Sequence, residues 1–335
     1  MARPTAMRSL EQTEPPRFSI VIPCYEPQER FLQECVTSVL GQTIDGWEAI
    51  VVDDASRHPD VEGLIRRTGD PRIRVVRHTQ NRGEASSRNT GNRIARGELI
   101  VALDADDRLA PDFLRKAGAA LDASPQTDWV LTDRQLFGSS VDVLRYPVPL
   151  PPPCPMHFNA QSPGLIRRRL WEDIGGYSEE EVFRSGGADL DFWMSAVEQG
   201  VVAGYVAEPL YLWRIHGASA SQNSFRYNNH LIHRALYRRH RRLFRSYADR
   251  CPRCRGRRSI GDYLANGYLA AADASLLRGE RARGSYLAAR AFALNPDRRA
   301  VRQLAKILAP SPVVRVGRIL QAKLSRSRRL GEKVR

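Results

Sequence analysis

The sequence predicts an open α/β sandwich over residues 18 to about 135, followed by a basic, mainly helical region. Three observations predict it. The apolar run Leu99-Ile-Val-Ala-Leu103 has the length of a buried strand and ends abruptly in Asp104, Asp106 and Asp107. Short apolar runs near the N-terminus alternate with helical spacings, as parallel βαβ units do. Acids also follow the second of those runs, so they gather at the carboxyl edge, where open sheets bind ligands.

The elements follow in order. Phe18–Ile22 reads as a strand stopped by Pro23, with Cys24-Tyr-Glu-Pro27 as the loop after it. Phe31, Leu32, Cys35, Val36, Val39 and Leu40 have helical spacing, and Gly41 ends the helix. Trp47–Val52 is the second strand, with Asp53 and Asp54 at its end, and Arg72–Arg77 the third. Asn81-Arg82-Gly83 opens a helical stretch rich in small residues that closes at Gly97, so a backbone or ligand can pack closely on it. Within it Arg88 is a candidate phosphate contact, because a guanidinium fork matches phosphate oxygens.

Three carboxylates as close as Asp104, Asp106 and Asp107 repel one another unless a cation joins them. Hard oxygen donors at a strand end suit Mg²⁺ or Mn²⁺. The structural alternative is an acidic turn capping a helix that carries Pro111 in its first turn. Asp128–Thr132 reads as a further strand. Tyr146–Pro155 holds six prolines in ten residues, an extended, semi-rigid segment bordering the cleft.

The totals bound the rest. A chain of 335 residues exceeds one ordinary domain. There is no apolar run of membrane-spanning length, and residues 1–17 read as a disordered lead-in lacking the apolar core of a signal peptide. Five cysteines, an odd number, argue for free thiols in a reducing cytoplasm. Cys251 and Cys254 have the spacing of half a zinc site but no partner pair, and are read as two thiols in a turn. The net charge of +15 is uneven: Arg234 to Arg258 holds eleven arginines against Asp249 alone. No nucleic-acid-binding module accompanies it, so an anionic membrane surface, on the inner face of the cytoplasmic membrane, is the more economical partner. The apolar positions of Val313–Leu330 fit a basic amphipathic helix of that use.

Four motifs in sequence carry a resemblance. Ser19-Ile-Val-Ile-Pro-Cys-Tyr25, Val51-Val-Asp-Asp-Ala-Ser56, Asn81-Arg-Gly83 with Ser87-Arg-Asn89, and Leu103-Asp-Ala-Asp-Asp107 together resemble the family 2 glycosyltransferases of GT-A fold, over roughly residues 17 to 220. The resemblance implies a GT-A α/β/α sandwich over 18–225, with a donor-binding half at 18–135 and an acceptor half at 136–225. It implies a nucleotide-sugar donor, a divalent metal and inversion at the anomeric carbon. It places Pro23, Tyr25, Asp53, Asp54, Arg88, Asp104, Ala105 and Asp106 at the donor, with Tyr25 against the base and Asp54 accepting from base or ribose. Asp104 and Asp106 would flank the metal, and His216, in Trp213-Arg-Ile-His216, resembles an additional ligand. In Gly186-Gly-Ala-Asp-Leu-Asp-Phe-Trp193 the family usually carries Glu where this chain has Ala188; Asp189 is then the implied base, Asp191 pointing elsewhere on the same helix. Glu26 replaces the family's usual Asn.

Beyond Arg226 the resemblance ends. Tyr227–Tyr247 reads as one basic helix, and residues 260–297 as one tetratricopeptide-like hairpin expected to pack on the catalytic domain. The implied function is sugar transfer to a glycan or lipid-linked acceptor from a UDP-linked donor. A metal-dependent nucleotidyltransferase is the rival enzyme, though Cys24–Gln28 lacks the glycines and bases of a phosphate loop. A degenerate relative that binds glycan without turnover is the non-enzymatic one, with Ala188 as its support.

Overall fold

The computed structural model describes residues 15–146, 164–217, 220–248, 260–296 and 299–301. Most of the lead-in, the prolines of the 146–155 segment, Cys154, Cys251, Cys254 and the segment Val313–Leu330 lie outside the described residues. The chain divides into two units, Met1–Ser219 and Ala220–Arg335.

The first unit is built on one mixed sheet. Four parallel strands, β1 (Phe18–Cys24), β2 (Trp47–Asp53), β3 (Ile73–Arg77) and β4 (Leu99–Ala102), lie in the order β3-β2-β1-β4. Their connections carry helices α1 (Glu29–Leu40), α2 (Val61–Arg66) and α3 (Glu84–Ile94). There follow β5 (Arg108–Leu109), α4 (Phe113–Asp122), β6 (Thr127–Gly138), β7 (Val143–Leu144), β8 (Leu165–Arg167), α5 (Arg168–Ile174), α6 (Ala188–Glu198) and β9 (Val202–Ile215). The sheet continues β4-β8-β6-β9-β5, with β7 on the side of β6. β8 is antiparallel to both its neighbours, so the central strand of the parallel half is β1, flanked by β2 and β4.

Strand alternation assigns the two faces. Ile20, Ile22, Val51 and Val101 pack with Leu32, Cys35 and Val39 of α1 and Phe113, Leu114 and Ala117 of α4. Val21 points the other way and meets α3 so closely that a Cβ on Gly91 would lie 2.3 Å from its Cγ1. The small residues of that stretch therefore seat α3 on β1. On the same face a buried Glu48 accepts from Ser19 Oγ (2.7 Å), Arg96 N (2.6 Å) and Arg96 Nε (3.0 Å). Burial alone would raise its carboxyl; those donors bring it below the ordinary carboxylate value.

Several boundaries differ from the sequence expectation. β1 runs through Pro23 to Cys24. The Val21 carbonyl accepts from Leu103 N (2.9 Å), and two residues later Pro23 faces that same flank after β4 has ended, so its missing N–H loses no ladder bond. β6 is 12 residues long rather than five, because Asp133 and Arg134 are buried with partners: Tyr205 donates to Asp133, and Arg134 lies 5.2 Å over the Trp213 ring. α4 begins at Phe113, not Pro111, since β5 intervenes and pairs with β9. The one-and-a-half-turn α2, capped by Asp60 accepting from Gly63 N (2.9 Å), was absent from the sequence reading.

The second unit contains α7 (Ala220–Arg239), α8 (Arg241–Ala248), α9 (Ile260–Leu277) and α10 (Arg281–Leu294). The expected single basic helix is broken at His240 into α7 and α8. α9 and α10 form a hairpin around Ala265, Tyr268, Leu269, Ala272, Leu287, Ala288 and Ala291. α7 packs on α9: the His233 ring stacks on Tyr263 at 4.2 Å, and its Nδ1 lies 2.8 Å from the Tyr263 carbonyl. No helix of the described residues is long and apolar enough to cross a membrane.

Candidate active site

The parallel topology delivers the ends of β1, β2 and β4 to one edge. After β1, Tyr25 stands 51% exposed, the most open large aromatic of that edge. Glu26 takes a left-handed φ of 45°, and Ala55, at the end of β2, one of 65°. Side chains other than Gly, Asn and Asp rarely adopt this conformation. Glu26 N donates to Ser56 Oγ (2.8 Å), tying the two strained loops together. Asn at that position would adopt the same φ more easily, which gives the family's usual residue a physical reason.

Asp53 and Asp54 are 1% and 2% exposed, and both are committed to the fold. Asp53 accepts from Ser56 N (2.9 Å) and from Arg77. Asp54 accepts from Arg82 N (2.8 Å) and Gly83 N (2.7 Å), with His78 Nδ1 at 2.7 Å. Asp54 therefore anchors the turn that starts α3, where Gly83 has φ 90°. Its oxygens hold the loop that frames the edge. Pro23 is buried in β1 and Ala105 packs against the core, so each offers backbone rather than side chain.

The acids after β4 separate into different tasks. Asp107 is 1% exposed and accepts from Tyr211 OH (2.7 Å) and Arg214 N (2.7 Å). Burial, with Asp106 and Asp104 nearby, pushes its carboxyl well above the ordinary value, against those two donors. Asp104 is partly exposed and pairs with Arg88 Nη2 at 2.7 Å. Asp106 Oδ2 lies 2.8 Å from His216 Nε2. Burial and the neighbouring Asp104 raise the Asp106 carboxyl, while His216 draws it down.

A brace behind this turn was missed by sequence reasoning. Arg214, 6% exposed, donates from Nε to the Asp106 carbonyl (2.6 Å) and from Nη2 to Glu34 of α1. Its guanidinium lies 4.0 Å over Phe31 and 4.3 Å over Phe137. Burial works against ionisation of Glu34, but hydrogen bonds from Arg214, Arg108 and Arg30 hold it down at about 2. The signal was available: Arg214 lies in the last turn of the pleat of β9 and His216 follows its end by one residue, so an alternating chain puts the two on one side.

Arg88 is buried among Glu84, Asp104 and the Tyr177 ring, 5.5 Å away. The next residue, Asn89, fixes the segment after α5: its Nδ2 donates to Tyr177 O (2.9 Å) and Glu179 (2.8 Å), and its Oδ1 accepts from Tyr177 N (2.8 Å). Gly186 (φ 123°) and Gly187 (φ 91°) then turn the chain into α6. Asp189 sits in its first turn, close enough to Arg88 and Asp104 to feel both charges. Burial raises its carboxyl and Arg88 opposes. Asp191, by contrast, is 2% exposed.

The donor set suits an open metal site. Asp106 and His216 offer one carboxylate oxygen and one imidazole nitrogen, a combination that Mn²⁺ accepts. Asp104, the further ligand that the resemblance implies, pairs with Arg88 at 2.7 Å. Among the described residues no three His, Cys, Asp or Glu side chains form a ligand cluster by themselves. Two protein ligands fit a metal that shares its remaining positions with phosphate oxygens.

Known proteins resemble this chain in sequence and in fold. Residues 19–147 match the family model described as glycosyl transferase family 2. Protein y4gI of Sinorhizobium fredii is 30% identical over 240 residues, covering 66% of this chain and 25% of that protein. The O-antigen biosynthesis protein RfbC of Myxococcus xanthus is 29% identical over 227 residues, covering 62% of this chain and 16% of that protein. The chain thus spans a quarter or less of the length of these two relatives. S. aureus TarS 1-349 in complex with UDP-GlcNAc superposes with a TM-score of 0.55 at 17% identity, over 87% of this chain and 90% of that one. Mannosyltransferase PcManGT from Pyrobaculum calidifontis, in complex with GDP-Man and Mn2+, does so with a TM-score of 0.52 at 18% identity, over 88% of this chain and 84% of that one. Residues 19–147 are thus a region that matches glycosyl transferase family 2, in a chain that shares its fold with these solved structures and continues into a helical region.

Proposed function

We propose that this chain transfers a sugar, with inversion, from a UDP-linked donor to a glycan or lipid-linked acceptor in the synthesis of a cell-surface polysaccharide, and that it requires Mn²⁺ or Mg²⁺. The observation that carries the reading is the meeting of Asp106, His216, Asp104, Arg88 and Asp189 at the carboxyl edge beside the exposed Tyr25. The relatives and neighbours support it: one is an O-antigen biosynthesis protein, and the others hold UDP-GlcNAc or GDP-Man with Mn2+.

Asp106 and His216 would hold the metal, which when bound would offset the charge developing on the departing diphosphate. Arg88 Nε, buried and unpartnered among the described residues, is a donor open to a diphosphate oxygen. Tyr25 offers its ring to the base. Asp189 takes the proton of the acceptor hydroxyl as its oxygen attacks the anomeric carbon. The new carbon–oxygen bond forms on the face opposite the bond that breaks, and the electron pair of the latter leaves with the diphosphate. A carboxyl raised by burial is a better base for that proton than an exposed one.

The test is a panel of nucleotide sugars with Mn²⁺, scored by release of nucleoside diphosphate with and without acceptor extract. Turnover of a UDP-sugar that chelator abolishes is the expected result; no turnover and no binding of any nucleotide sugar contradicts the reading. The second unit exposes Arg234, Arg238, Arg241, Arg242 and Arg245 on α7 and α8, with no acid among residues 220–248. We assign to this surface contact with anionic headgroups at the cytoplasmic membrane. Salt-sensitive co-sedimentation with phosphatidylglycerol vesicles is expected, and its absence at low salt contradicts the assignment.

A further inference from the structure

One feature of the site is unaccounted for by sugar transfer as described: two carboxylates compete for a single nitrogen. Arg88 Nη2 pairs with Glu84, one helical turn earlier on α3, and with Asp104 at 2.7 Å. A Glu–Arg pair four residues apart is ordinary on an exposed helix and contributes little there. Arg88 is not exposed: its side chain is 8% accessible, so its charge needs a partner at all times. Asp104 is the wrong permanent partner. It lies two residues before Asp106 in the turn after β4 and its charge is felt there, so a divalent ion at Asp106 attracts it away from the guanidinium.

We propose that Glu84 is the standing counter-ion of Arg88, which frees Asp104 to turn from that arginine towards the metal. The proposal rests on the metal-dependent reading above. It makes Glu84 a positioning residue, acting on Asp104 through Arg88. With Glu84 present, Arg88 stays paired when Asp104 leaves. Without it, the departure of Asp104 leaves Nη2 of a buried guanidinium unpaired, with Nε alone on the diphosphate, so Asp104 stays and the ion binds less tightly.

The electrostatics run the same way. Arg88 draws the half-exposed Glu84 carboxyl down, while the charges of Asp104, Asp189 and Asp106 push it up. A cation that neutralises Asp104 and Asp106 relieves that push, so Glu84 holds Arg88 more firmly once the site is loaded. Glu84 also begins α3, where a negative charge is favoured by the helix N-terminus, so its side chain is stationed toward Arg88 before any ligand arrives. Position 84 follows Gly83 directly, and the turn that Asp54 anchors sets its place.

Calorimetric titration of UDP into the full chain, with and without MnCl₂, tests this. Glu84→Gln is expected to weaken Mn²⁺-dependent UDP binding on the order of tenfold, to leave Mn²⁺-free binding unchanged, and to leave the melting temperature within a degree or two of wild type. Glu84→Asp, which restores the charge, is expected to recover most of the affinity. In an Arg88→Met background the Glu84→Gln effect is expected to vanish, because Asp104 then has no arginine to leave. Wild-type affinity in Glu84→Gln, or an equal loss in Glu84→Gln and Glu84→Asp, overturns the proposal. If wild type itself binds UDP without regard to Mn²⁺, the metal reading fails and the proposal falls with it; if wild type needs Mn²⁺ and Glu84→Gln does not weaken binding, the proposal alone fails.

Discussion

Arg214→Met is the sharpest probe of how the site is held. Methionine keeps much of the buried stem and removes the guanidinium. The hydrogen bond to the Asp106 carbonyl is lost, about 1 kcal/mol net. The pair with Glu34 is lost as well, discounted to about 1 kcal/mol because Arg108 and Arg30 still neutralise that carboxylate and water reaches it. Contacts of the cation with Phe31 and Phe137 add about 0.5 kcal/mol each. The sum is about 3 kcal/mol, a large fraction of a domain's stability. Urea unfolding followed by tryptophan fluorescence measures it, and Mn²⁺-dependent UDP binding is expected to weaken in parallel, since the Asp106 backbone is no longer fixed. Arg214→Lys, which keeps the charge but loses the planar fork, is expected to fall between. A stability loss under 1 kcal/mol with unaltered binding would refute the idea that Arg214 braces the acidic turn.

Other expectations follow from the same geometry. Glu26→Asn relieves a left-handed strain and should stabilise the chain by about 1 kcal/mol, read as a rise in melting temperature; a fall would mean that Glu26 earns its place through contacts instead. Gly91→Ala drives a methyl into Val21 and should cost about 1–3 kcal/mol, with no gain in any condition. In the second unit, burial lowers His233 to about 4 against its bond to Tyr263, from an ordinary value of 6.5. The folded state thus binds fewer protons than the unfolded one. The stabilisation is full above pH 6.5 and is lost as pH falls towards 4, by up to about 3 kcal/mol. The difference between wild type and His233→Gln in urea midpoints across that window measures it; a difference independent of pH contradicts it.

The parallel half was legible because its signals are local. Apolar runs the length of strands, Gly41 after α1 and acids at the ends of β2 and β4 need no knowledge of the rest of the chain. β6 was cut short because Asp133 and Arg134 look like a strand end until Tyr205 and Trp213 of β9 are brought beside them. The site shows the same division. Asp106 and His216 were named from motif positions and stand 2.8 Å apart. That Asp54 ties down Gly83, or that Glu34 and Arg214 brace the acidic turn from α1 and β9, depends on separations of 29 and 180 residues that no local pattern records.

The central claim is that Asp106, with His216, holds a divalent ion that the donor diphosphate shares. Calorimetry of UDP with MnCl₂ on Asp106→Ala and Asp189→Ala tests it most directly. The account predicts that Asp106→Ala loses Mn²⁺-dependent binding while Asp189→Ala binds like wild type and loses only transfer. Unchanged Mn²⁺-dependent affinity in Asp106→Ala would contradict it.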